Sequence, residues 1–101
     1  MSDRYILNDA GEPEYCENLL TWAKWMESNE RAVEVTTIGE ALVSTVFLGL
    51  DHSFRESVTP VLWETMIFGG ERDGYQERYT SRDEAILGHQ TAVDLVKGIS
   101  K

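Results

Sequence analysis

Two apolar runs constrain this chain more than any other feature. Val43-Ser44-Thr45-Val46-Phe47-Leu48-Gly49-Leu50 is the most apolar stretch, and Val61-Leu62-Trp63-Glu64-Thr65-Met66-Ile67-Phe68 answers it ten residues later. They read as the two central strands of one antiparallel sheet. The first run alternates in its first half, whereas Val46, Phe47, Leu48 and Leu50 make its second half apolar on both faces. That pattern fits a strand covered on both sides, or one whose outer face meets a partner. In the second run Trp63, Thr65 and Ile67 share one face, and Leu62, Glu64, Met66 and Phe68 share the other.

The flanks supply the other elements. Residues 4–8 read as a short edge strand, stopped by the turn chemistry of Asp9, Gly11 and Pro13. Residues 14–28 carry Leu19, Leu20, Trp22, Ala23 and Met26 at helical spacing, with Trp25 at the margin of that stripe and Glu14 and Glu17 in the expected first turn. Residues 31–38 alternate and are rich in β-branched side chains, with Val33, Val35 and Thr37 on one face. Gly39-Glu40 then suits a tight hairpin into the first long run. Residues 75–79 form a last short strand with Glu77 and Arg78 as edge charges. Ser81 as N-cap and Glu84 three positions later make a capping box for a helix that ends at Gly98. On that helix Ala85, His89, Ala92, Val93 and Val96 share a face. The order β-α-β-β-β-β-α predicts an α+β fold: an antiparallel meander sheet of four to five strands with two helices on one face. At 101 residues the chain reads as a single domain, 1–101.

Charge and cysteine content exclude several function classes. The formal net charge is −9, carried more by residues 1–50 than by 51–101. A surface of that sign repels a phosphate backbone, so direct nucleic-acid binding is disfavoured. A single cysteine, Cys16, precludes an internal disulfide. Its distance in sequence from His52 and His89 gives no zinc-ligand spacing. No cofactor motif is present: the Gly69-Gly70-Glu71-Arg72-Asp73-Gly74 turn lacks the Gly-Lys-Ser/Thr ending of a phosphate loop. No apolar run is long enough to span a bilayer, and the N-terminus lacks signal-peptide character, so a cytoplasmic, membrane-free protein is expected.

Candidate chemistry is sparse. Asp51, His52 and Ser53 are adjacent in a polar loop, but triad members usually converge from separate segments. Glu64, in mid-strand, needs a partner such as Arg78 or Arg55. His89 on an apolar helix face reads as a half-buried histidine bonded to a carbonyl or a tyrosine. A hundred-residue meander offers little room for the two flanking acids of a glycosidase cleft. The expectation is therefore a protein that is not an enzyme. The aromatic and arginine surplus is the kind that dominates protein-binding hot spots. The candidate binding residues are Asp51, His52, Phe54, Arg55, Trp63, Glu64, Arg72 and Arg78. With two helices on one side, the opposite sheet face is left for a partner or a second copy, and Val46, Leu48 and Trp63 are candidates for it.

The segments Ser44-Thr45-Val46-Phe47-Leu48-Gly49-Leu50-Asp51-His52-Ser53-Phe54, Trp63-Glu64-Thr65-Met66-Ile67-Phe68-Gly69-Gly70 and Glu77-Arg78-Tyr79-Thr80-Ser81-Arg82-Asp83-Glu84-Ala85 resemble those of a group of small bacteriophage- and prophage-encoded proteins. The resemblance brings no catalytic motif. It implies a setting, the cytoplasm of an infected bacterium. There a small acidic protein would bind and modulate a host protein, as an inhibitor of a defence system of the anti-CRISPR kind does. The alternative is a small-ligand or nucleotide-binding sponge acting as an oligomer, which needs Arg55, Arg72 and Arg78 to converge. A hydrolase centred on His52 is a third reading.

Overall fold

The computed structural model describes residues 3–53 and 59–98. The elements run β1 (Tyr5–Leu7), β2 (Pro13–Tyr15), α1 (Leu19–Ser28), β3 (Ala32–Ile38), β4 (Ala41–Phe47), β5 (Trp63–Phe68), β6 (Gln76–Tyr79) and α2 (Arg82–Lys97). An α+β fold results, in which β3-β4-β5-β6 form a four-stranded antiparallel meander. β1 and β2 form a separate two-stranded hairpin.

The meander follows the sequence pattern closely. Ile38 pairs with Ala41 across the Gly39-Glu40 turn, so the hairpin falls where the two-residue break is. Alternation sends Ala41, Val43, Thr45 and Phe47 of β4 to one face, joined by Trp63, Thr65 and Ile67 of β5. All seven are buried, because α2 lies along this side and packs against all four strands. α2 starts as a capping box: Ser81 Oγ accepts from the Glu84 amide at 3.1 Å, and Glu84 accepts from the Thr80 amide and hydroxyl. It stops at Gly98, whose φ of +78° is the left-handed cap that glycine adopts without a Cβ penalty. Its buried face is Ala85, His89, Ala92 and Val93. Val96 is packed at its end.

Two local departures have physical causes. The segment 13–15 is a strand, not the start of a helix, because it pairs with β1 in the register Tyr5 to Tyr15 and Leu7 to Pro13. The rings of Tyr5 and Tyr15 meet edge-on at 5.8 Å. α1 therefore begins only after Asn18, whose side chain caps the Thr21 amide at 2.9 Å. Its apolar stripe is also not the buried one expected. Leu19 and Leu20 are 57% and 71% exposed, and contact with the core passes instead to Trp22 and Trp25. Trp22 Nε1 donates to Gly49 O at 3.0 Å, and Trp25 meets Phe47 edge-on at 5.8 Å. α1 thus packs beside β1 and reaches the α2 side of the sheet at one end, whereas α2 alone spans it.

In β3 a bulge between Ala32 and Glu34 shifts the register, so parity changes in mid-strand. Val33 packs into the core on the α2 side, yet beyond the bulge Thr36 and Ile38 face α2 and Val35 is exposed. Val33 and Val35, two residues apart, do not share a face.

A polar seam runs through the core. His89 is 1% exposed, and its Nδ1 lies 2.7 Å from Thr45 Oγ1 and its Nε2 2.9 Å from Thr36 Oγ1. Thr45 Oγ1 in turn lies 2.5 Å from Thr65 Oγ1. Three strands are hydrogen-bonded to one helical side chain, or to each other beneath it. Buried polar groups persist only when paired, and here each hydroxyl has a neighbour. The histidine is fully rather than half buried, and its partners are threonines.

Candidate protein-binding face

The side of the meander away from α2 has no described helix or strand packed on it. Three cross-strand rows define it. Thr37, Leu42 and Phe68 form the first. Val35, Ser44, Met66 and Gln76 form the second. Ala32, Val46, Glu64 and Arg78 form the third. Leu42, Val46 and Met66 are half-buried by their neighbours, while Val35 and Phe68 stand about half exposed at the margins. These apolar side chains surround Ser44 and adjoin Glu64 and Arg78 in the third row.

Glu64 is the only acid in these rows and Arg78 the only base. Register places them side by side, and the Glu64 carboxylate accepts from Arg78 Nε at 3.0 Å and from Gln76 Nε2. The pair is unequal in exposure: the Glu64 side chain is 11% exposed and that of Arg78 43%. Arg78 thus meets the carboxylate through Nε and leaves the rest of its guanidinium exposed. The face is neutral in sum on a chain of net charge −9.

The other sequence candidates are dispersed. Trp63 is not on this face. It is 2% exposed on the α2 side, with its ring tilted against Phe47 at 5.5 Å, so it belongs to the core. Val46, by contrast, is on the outer face as the pattern allowed. Asp51 ties its own loop together, its Oδ1 accepting from the amides of Ser53 at 2.8 Å and Val61 at 2.9 Å. Burial pushes its pKa up, but those amides, the Ser53 hydroxyl and His52 outweigh it and hold the carboxyl below its ordinary value. His52 is exposed, with Nδ1 2.8 Å from Leu50 O. Asp51 and His52 thus each hold backbone of their own loop. Phe54 and Arg55 lie outside the described residues. Arg72 lies beside Ile38, Ala41, Leu95 and Val96, on the α2 side of the sheet, so it does not converge with Arg78.

Sequence reasoning missed Val35, Leu42, Met66 and Phe68 as members of the candidate site. The alternation of the strands carried that signal, but it could not be read for β3, where the bulge reverses it.

Among the described residues no group of three or more His, Cys, Asp or Glu side chains is placed to hold a metal ion. No described helix is long and apolar enough to cross a membrane. No family model, curated protein or solved structure matches the chain.

Proposed function

We propose that this chain is a non-enzymatic accessory protein that binds another protein through the outer face of its sheet and modulates it. The observation that carries this reading is the uncovered, charge-neutral face of Val35, Leu42, Val46, Met66 and Phe68 around the Glu64–Arg78 pair. Burying such a face strands no unpaired charge, which is the costly event at an interface. The surrounding acidity speeds encounter with a basic partner surface and slows encounter with nucleic acid. In the setting that the phage resemblance implies, the partner is a host protein and the effect is inhibition of a host defence.

Affinity capture from bacterial lysate tests the reading with three baits: the native chain, Met66→Lys and Leu87→Lys. Met66 lies in the centre of the face, whereas Leu87 is an exposed apolar residue on α2. The expected result is one stoichiometric partner held by the native chain and by Leu87→Lys and lost by Met66→Lys. No stoichiometric partner, or one that Met66→Lys retains, overturns it.

A further inference from the structure

The outer edge of β3 is a second unfinished surface. Among the described residues no strand or bridge lies beyond it, so its outward backbone groups have no ladder. Ile38 and Ala41 flank a two-residue turn and form a hydrogen-bonded pair. Antiparallel alternation then gives Thr36 to β4 and turns the N–H and C=O of Val35 and Thr37 outward.

The two edges of the meander are not alike. β6, the other edge, is four residues long and carries Glu77 and Arg78, the usual protection against edge pairing. β3 is protected only in its first half, by the bulge and by Glu34. Beyond them the segment Val35, Thr36, Thr37 and Ile38 is uncharged and β-branched throughout.

We infer that β3 pairs antiparallel with β3 of a second copy, joining two meanders into one continuous eight-stranded sheet. A two-fold axis at Thr36 uses only the regular half of the strand. Val35 then exchanges hydrogen bonds with Thr37 of the second copy, and Thr37 with its Val35. Thr36 faces Thr36, and Glu34 faces Ile38, so no like charges oppose each other across the junction. Antiparallel pairing of identical strands is two-fold by construction, which closes the assembly at two copies.

The pairing also mends a shortfall of area. Four strands about 4.8 Å apart and six residues long at about 3.3 Å each outline roughly 400 Å². That is about half of the roughly 800 Å² that each side of a specific interface contributes. Edge pairing leaves the outer faces uncovered and places them side by side, which doubles the surface offered to a partner. The second copy matters to partner binding only if the outer face is the binding face, whereas the β3 edge is unpaired in either case.

Sedimentation of the full chain from about 10 µM to about 1 mM tests the proposal. Proline is the diagnostic substitution. At position 35 or 37 it removes an outward N–H and fills its place with a ring, while the ladder to β4 keeps its bonds. The native chain is expected to dimerise within this range, as is Met66→Lys, and Val35→Pro and Thr37→Pro are expected to stay monomeric. In the native chain the Val35 and Thr37 amides are expected to exchange more slowly at high concentration than at low, which tests the pairing even if a proline variant fails to fold. A native chain monomeric at every concentration, a dimer that survives Thr37→Pro, or exchange that ignores concentration overturns the proposal. Loss of the captured partner in Met66→Lys with dimerisation intact separates this pairing from the role of the outer face.

Discussion

The Nδ1 of His89 lies 2.7 Å from Thr45 Oγ1, so a helix side chain and a central strand share a hydrogen bond in the middle of the core. Burial lowers the pKa of His89, and the half-exposed Glu34 carboxylate 3.9 Å from its Nε2 opposes that shift without cancelling it. The other groups against the ring are the hydroxyls of Thr36 and Thr45, which can donate or accept.

A pH dependence follows from the sign of that shift. The folded-state value lies below the ordinary histidine value of 6.5. Above pH 6.5 the ring is neutral in both states and its contribution is complete. Below it the unfolded chain takes up the proton first, so stability falls with pH until the folded ring titrates too. The loss attributable to His89 is bounded by about 1.4 kcal/mol per pH unit. Urea unfolding of the native chain and His89→Gln at pH 7.5 and 5.5 checks it. The native chain should lose more stability over that interval than the variant does.

Removing the hydroxyl at position 45 should cost more than its size suggests. Thr45→Val keeps the shape but deprives both His89 Nδ1 and Thr65 Oγ1 of a neighbour. The expected loss is about 1–3 kcal/mol, the usual penalty for leaving a buried polar group unpaired. A midpoint in urea unchanged from the native chain would refute it.

The Glu64–Arg78 pair should behave as a pair. Arg78→Ala leaves a carboxylate that is 11% exposed with Gln76 as its remaining partner, and should destabilise by about 1 kcal/mol. Replacing both residues by leucine should be neutral or stabilising, since the desolvated carboxylate goes as well. A double-mutant cycle in thermal unfolding reads the coupling directly.

Two glycines in the β5–β6 region should respond differently to alanine. Gly69 and Gly74 both have positive φ, but a Cβ on Gly69 would run into the backbone oxygen of Glu40, whereas one on Gly74 meets nothing within 4 Å. Gly74→Ala should therefore cost only the left-handed strain, about 1 kcal/mol, and Gly69→Ala clearly more because a backbone atom must move. Equal melting temperatures would contradict the packing.

Exposure separates residues of α1 that look alike in sequence. Leu20→Ser should change stability by no more than about 0.5 kcal/mol, as at most surface positions. Trp25→Ala should cost about 2–4 kcal/mol, because its ring is packed edge-on against buried Phe47. Chemical denaturation of the two variants compares them.

What the sequence disclosed was local. The capping box of Ser81 and Glu84, the stop at Gly98 and the alternation of β4 and of β5 from Trp63 onward are all set within a few residues and stand as read, whereas Leu62, ahead of β5, is buried in the core with Phe47 and Trp63 and not on the face of Glu64. The Glu64–Arg78 pair was also legible, because a charge in mid-strand demands a neighbour one strand away. The seam of His89 with Thr36 and Thr45 was not, since its partners are 53 and 44 residues distant. Nor was the burial of α1. Leu19 and Leu20 satisfy helical periodicity, but the hairpin of β1 and β2 decides which side of the helix meets the core. The bulge in β3 hid part of the candidate face for a similar reason. One extra residue reverses parity, and composition carries no mark of it.

The carbonyl of Gly49 accepts both the Tyr5 amide at 2.8 Å and the Trp22 indole at 3.0 Å. The hairpin and α1 are thus moored to one oxygen at the end of β4. A shift of Gly49 is therefore passed to the hairpin and to α1 at once, and the Asp51 amide, bonded to Asp3 O at 2.9 Å, ties the same end of the chain to the segment after β4.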